Sequence, residues 1–90
     1  MSDSVVIIPT YNEIENVENI VRRVLSYEHG FHVLIVDDNS PDGTADKVKA
    51  LQHEFPDQLH LLERPGKQGL GTAYKAGFDW SLEKGYDFIF

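Results

Sequence analysis

Apolar positions along the chain alternate between short continuous runs and helical spacing. Residues 5–8, VVII, are a β-branched run closed by Pro9, which predicts a buried strand. Ile14, Val17, Ile20, Val21, Val24 and Leu25 then recur at helical spacing, with Glu13, Glu15 and Glu18 early and Arg22 and Arg23 late, as the helix dipole favours. Asn12 or Asn16 is the candidate N-cap of this helix and Gly30 its candidate C′ residue. Residues 31–36 predict a second strand, residues 40–43 (SPDG) a turn, and Ala45, Val48, Leu51 and Phe55 a second helix stopped by Pro56. Residues 59–63 predict a third strand, 64–69 a glycine-bearing loop, 70–84 a third helix ended by Gly85, and 86–90 a fourth apolar strand. In the third helix, Gly71, Ala73, Ala76 and Gly77 are small enough to let it lie close against a sheet.

The predicted order is β-α-β-α-β-α-β. Apolar strands joined by helical crossovers imply a Rossmann-like α/β fold, a parallel sheet covered on both faces. Right-handed crossovers leave few topologies, and strand order 3-2-1-4 is expected, with the chain reversing direction between strands 1 and 4. Ligands of such sheets sit outside the carboxyl ends of the strands, beside that switch point. Here those ends are PTYNE (residues 9–13), DDNS (residues 37–40) and the loop 64–69, which are polar and glycine-rich.

Composition narrows the function classes. Eight Lys and Arg against fifteen Asp and Glu give a formal net charge of −7, which lacks the electrostatic footprint for nucleic acid or an anionic membrane surface. A hydrophobic content of 41% predicts a folded domain rather than a disordered segment. The absence of cysteine removes disulfides, thiolate metal sites and a cysteine nucleophile, and fits a cytoplasmic setting. No apolar run is long enough to cross a bilayer, and the first residues carry no secretory signal pattern.

Individual motifs carry unequal weight. GKQGLG (residues 66–71) is neither the dinucleotide fingerprint nor the phosphate loop. Gly69 and Gly71 could serve close helix packing, or Lys67 and nearby N–H groups at a helix N-terminus could meet a diphosphate. Tyr11 could cover a base or fill a gap. Asp37 and Asp38 end an apolar strand side by side, so alternation points them to opposite sides. One should face the crevice, where a carboxylate accepts two hydrogen bonds from ribose or base donors, and the other should serve an Asx-type turn, a role that suits Asp37 better than Asp38. His29, His32, His53 and His60 show no metal-ligand spacing, and Trp80 reads as core.

Three ordered motifs together carry a family resemblance over essentially the whole chain. IIPTYNE (residues 7–13), VDDNSPDGT (residues 36–44) and RPGKQGLGTAY (residues 64–74) resemble the inverting family 2 glycosyltransferases of GT-A fold, and within them the polyprenol (dolichol) phosphate mannosyltransferase subgroup. The resemblance implies that Pro9, Tyr11 and Glu13 line a nucleotide site, that Val36 and Asp38 contact base and ribose, and that Lys67 neighbours the nucleotide. It implies transfer of mannose from GDP-mannose to a polyprenyl phosphate. It also implies a Mg2+ or Mn2+ ion held by an Asp-x-Asp pair, which this sequence does not contain. Residues 1–90 are therefore expected to be one nucleotide-sugar-binding subdomain, the N-terminal half of the fold, inert in transfer on its own. A longer form would sit in the cytoplasm, peripheral to the membrane face. The bare outer edge of residues 86–90 is expected to drive self-association.

Two other readings stay open at this point. VLIVDDN (residues 33–39) also resembles the start of a response-regulator receiver domain, where paired acids bind magnesium. A receiver places that strand at its N-terminus and needs a phosphoacceptor aspartate at a later strand end, where this chain has Arg64. A nucleotide-binding module without chemistry of its own is the third class.

Overall fold

The computed structural model describes residues 3–27, 30–66 and 69–90. The elements run β1 (Ser4–Thr10), α1 (Val17–Leu25), β2 (His32–Asp37), α2 (Thr44–Glu54), β3 (Leu59–Glu63), α3 (Leu70–Glu83) and β4 (Phe88–Ile89). The four strands form one parallel sheet in the order β3-β2-β1-β4, as the crossover rules predict. Register pairs Thr10 with Asp37 and Asp37 with Glu63, so β1, β2 and β3 end level with one another.

Alternation along β2 divides the core. Val33 and Ile35 pack with Val17 and Val21 of α1 and with Val48 and Leu51 of α2. Leu34 and Val36 face the other way and pack with Val5, Ile7 and Ala73, beneath α3. All four β2 side chains are fully buried, which explains why this strand reads as a continuous apolar run rather than an alternating one. Of the small residues in α3, Gly77 makes the close approach. A Cβ there would lie 2.8 Å from Ile7 Cγ2, whereas one at Gly71 would meet nothing within 4 Å.

Three boundaries differ from the sequence-based expectation. The first helix begins at Val17, three residues after Ile14, and Asn16 at its N-cap makes no side-chain capping bond. The amides that open this segment are satisfied from elsewhere in the chain, as described below. Gly30 is not the C′ residue of α1, which ends at Leu25 with Ser26 as its cap; the Gly30 N–H donates to the Tyr27 carbonyl at 3.0 Å. The fourth strand covers two residues rather than five; the Tyr86 N–H bonds the Ser81 carbonyl of α3 at 3.1 Å instead of joining the ladder to β1.

Candidate functional site

The carboxyl ends of β1 and β2 are joined by a set of buried hydrogen bonds. Asp37, fully buried, accepts from Thr10 Oγ1 at 2.7 Å and from Ser40 through both its Oγ (2.7 Å) and its backbone N–H (3.0 Å). This is the Asx-type structural role expected of Asp37. The turn it stabilises then fixes the PTYNE loop. Ser40 Oγ accepts from the Asn12 N–H at 2.9 Å, Thr44 Oγ1 from the Glu13 N–H at 3.0 Å, and Asp42 Oδ2 from the Ile14 N–H at 3.2 Å. These three amides lie in the loop that leads into α1, so that loop is held by groups 28 to 31 residues away in sequence. Burial pushes the Asp42 carboxyl up, but bonds from Thr44 and from the Ile14 and Thr44 amides outweigh it and hold the group below its ordinary value. Asn12 and Asn39 both take left-handed backbone conformations, φ 57° and 55°, where each strand turns into its loop.

Asp38 points the other way. It lines a pocket of about 240 Å³ together with Pro9, Thr10, Tyr11, Glu13, Gly69 and Ala73. The pocket lies outside the carboxyl ends of β1 and β2 and against the N-terminus of α3, beside the switch point. Its volume is below the roughly 300–1,000 Å³ of a complete small-molecule site. Arg64 holds the Asp38 carboxylate from behind, with Nε donating to Oδ1 at 2.7 Å and Nη2 to Oδ2 at 3.3 Å. A second depression, about 350 Å³, runs along α1 to Val24 from Glu13, which lines both.

Four of the six residues singled out from the sequence, Pro9, Tyr11, Glu13 and Asp38, thus meet in one pocket. Val36 does not line it. Its side chain is fully buried beneath α3, where a Cβ on Gly77 would come within 3.2 Å of it. Lys67 lies outside the described residues. The sequence reading missed the supporting residues Ser40, Asp42, Thr44 and Arg64. The signal available for the first three was the S-x-D-x-T pattern of short side chains that bond backbone amides; for Arg64 it was its place at a strand end and at the head of RPGKQGLGTAY.

Among the described residues, no group of three or more His, Asp or Glu side chains could hold a metal ion. Asp37 is taken by hydroxyls and Asp38 by a guanidinium. This donor set does not fit a divalent cation. It also lacks the acidic cluster and phosphoacceptor of a receiver domain, since Arg64 occupies the end of β3.

His32 and His60 do come together, at the opposite end of the sheet. Tyr86 Oη lies 2.7 Å from His32 Nδ1 and 3.3 Å from His60 Nε2, under the Trp80 ring. Burial lowers the pKa of both imidazoles, and for His60 the neighbouring His32 and Lys84 add to it.

A parallel sheet of order 3-2-1-4, with an aromatic and two carboxylates around a pocket at its switch point, defines an α/β domain with a crevice at the carboxyl ends of its strands. The sequence profile of Glycosyl transferase family 2 matches residues 5–89, and the chain belongs to that family. It is 50% identical over 86 residues to polyprenol monophosphomannose synthase of Mycolicibacterium smegmatis, covering 96% of this chain and 32% of that protein. It is 49% identical over 83 residues to undecaprenyl-phosphate mannosyltransferase of Micrococcus luteus, covering 92% and 34% respectively. It is 39% identical over 75 residues to dolichol-phosphate mannosyltransferase of Pyrococcus furiosus, covering 81% and 21%. Among solved structures it resembles the mannosyltransferase PcManGT of Pyrobaculum calidifontis in complex with GDP-Man and Mn2+, with a TM-score of 0.81 and 28% identity over 87% of this chain and 24% of that one. The chain therefore spans about a third or less of the length of these relatives.

Proposed function

We propose that this chain is the donor-nucleotide-binding part of a glycosyltransferase that moves mannose from GDP-mannose to a polyprenyl phosphate. The observation that carries the reading is the meeting of Tyr11, Glu13 and Asp38 in one pocket at the switch point. The names of its relatives and the GDP-Man held by its structural neighbour support the substrate classes. Within the pocket, Tyr11 supplies a ring face for the base, Asp38 accepts from ribose or base donors, and Pro9 and Glu13 shape the loop around them. Val36 enters through the strand that it anchors, and Lys67 as a neighbour of the diphosphate. Residues 1–90 act as one nucleotide-sugar-binding unit. The divalent cation belongs to an Asp-x-Asp pair outside this sequence, so transfer requires more than these residues. The setting is the cytoplasm, peripheral to the membrane that holds the lipid acceptor.

The test is calorimetric titration of the chain with GDP, GDP-mannose and UDP. GDP and GDP-mannose are expected to bind at least about tenfold tighter than UDP, and Asp38→Asn and Tyr11→Ala to weaken both. Equal affinity for all three, or no binding, would sink the assignment. Self-association through the β4 edge belongs to the same proposal, supported by the exposed rings of Phe88 on that edge strand (54%) and of Phe90 just after it (61%). Light scattering at high concentration should show a dimer or larger species, and a monodisperse monomer would refute it.

A further inference from the structure

Arg64 immediately follows β3, and its side chain reaches back across the top of the sheet to Asp38. Its Nη2 also donates to Thr72 Oγ1 at 2.9 Å, and that hydroxyl donates to the Gly69 carbonyl at 2.8 Å. One guanidinium thus connects the end of β2, the end of β3 and the first turn of α3. Asp38 and Gly69 are both pocket-lining residues, while Arg64 stands behind them and does not line the pocket.

The pair is nearly closed to solvent, with 9% and 8% of the two side chains exposed. An ion pair this buried gains little net stability over apolar residues of similar size, because desolvation offsets the attraction. What it supplies is geometry. The planar fork fixes both carboxylate oxygens at once, which a lysine cannot do. A carboxylate offers about four lone-pair positions, so two remain for donors arriving from the pocket.

We propose that Arg64 is a positioning residue for the donor nucleotide. It sets the Asp38 carboxylate and the turn at Gly69 and Thr72 as one unit, so that the two sides of the pocket are aligned together rather than by independent loops. The proposal rests on the reading of this pocket as a nucleotide-sugar site.

Three variants of the chain test it: Arg64→Lys, Thr72→Val, and Arg64→Lys combined with Asp38→Asn. GDP affinity is read by calorimetry, folding by thermal melting, and the α3 turn by hydrogen exchange at the Ala73 amide, which bonds the Gly69 carbonyl. Arg64→Lys keeps the charge and loses the fork; it should weaken GDP by about tenfold or more and speed exchange at Ala73. Thr72→Val cuts the link to α3, together with the hydroxyl's own bond to the Gly69 carbonyl, and should produce the faster exchange with a smaller loss of affinity than Arg64→Lys. In the Asp38→Asn background, Arg64→Lys should add little, because its effect runs through that carboxylate. A folded Arg64→Lys with unchanged GDP affinity, or effects that simply add, would overturn the proposal. If Arg64→Lys does not fold, unchanged affinity and exchange in Thr72→Val would do the same. Failure of the unsubstituted chain to bind GDP would instead bring down the nucleotide-site reading, and this proposal with it.

Discussion

Asp37 and Asp38 are adjacent in sequence and serve opposite ends. Asp37 is buried among hydroxyls and an amide that it satisfies, and Asp38 faces the pocket. Replacing Asp37 by alanine leaves the Thr10 and Ser40 hydroxyls without their acceptor. The expected cost is about 1–3 kcal/mol of stability, measured by urea unfolding. Because the Ser40 turn also holds the Asn12 amide, the same variant should loosen the loop that carries Tyr11. A stability change within error would show that water replaces the carboxylate at no cost. That the two aspartates face opposite sides was legible from strand alternation. The Arg64 partner of Asp38 was not, because 26 residues separate them and no local pattern links them.

Among the elements, α3 depends on one position for its seat on the sheet. Gly77→Ala adds a methyl 2.8 Å from the branched Ile7 side chain, which cannot swing away from its strand. Overpacking of this kind costs about 1–3 kcal/mol, and alanine's better helix propensity returns up to about 1 kcal/mol of it. Gly71→Ala, in open space, should be neutral or stabilising by at most about 1 kcal/mol. Thermal melting of the two variants separates them, and equal effects would mean that the close approach at Gly77 is relieved by a small helix shift. Composition pointed to a small-residue face on this helix without saying which residue met the sheet. Only the register of α3 over β1 and β2 selects Gly77 and Ala73 and leaves Gly71 outside. The entry to α1 is a similar case. Helical spacing from Ile14 onward is present in the sequence, but the left-handed Asn12 and the bonds that the Glu13 and Ile14 amides donate to Thr44 and Asp42 go with a helix that starts only at Val17.

Across the whole molecule, the sheet has a pocket at one end and a titratable cluster at the other. His32 and His60 share the Tyr86 hydroxyl at the latter, and burial holds both pKa values below the ordinary 6.5. The unfolded chain therefore binds protons that the folded chain does not. The stability tied to these groups is complete above about pH 6.5 and declines as the pH falls below it. Urea midpoints should drop between about pH 7.5 and about pH 5.5, above the main carboxylate range, and His32→Gln with His60→Gln should flatten that slope. A flat profile in the unsubstituted chain would show that neither imidazole is perturbed. This cluster was invisible in the sequence, where the histidines stand far apart with no ligand spacing.

The sequence by itself determined the α/β class, the element order, the strand order and the motifs that mark the pocket end. Each of these follows from local periodicity, turn chemistry and the handedness of crossovers, which act over a few residues at a time. Tertiary structure alone decided which short polar side chains tie the PTYNE loop to the following turn, and which cation fixes Asp38. It alone drew Val36 into the core and joined the two histidines through a tyrosine. Those outcomes depend on how strand ends and helix faces meet, and contacts across 26 to 54 residues leave no periodic trace along the chain.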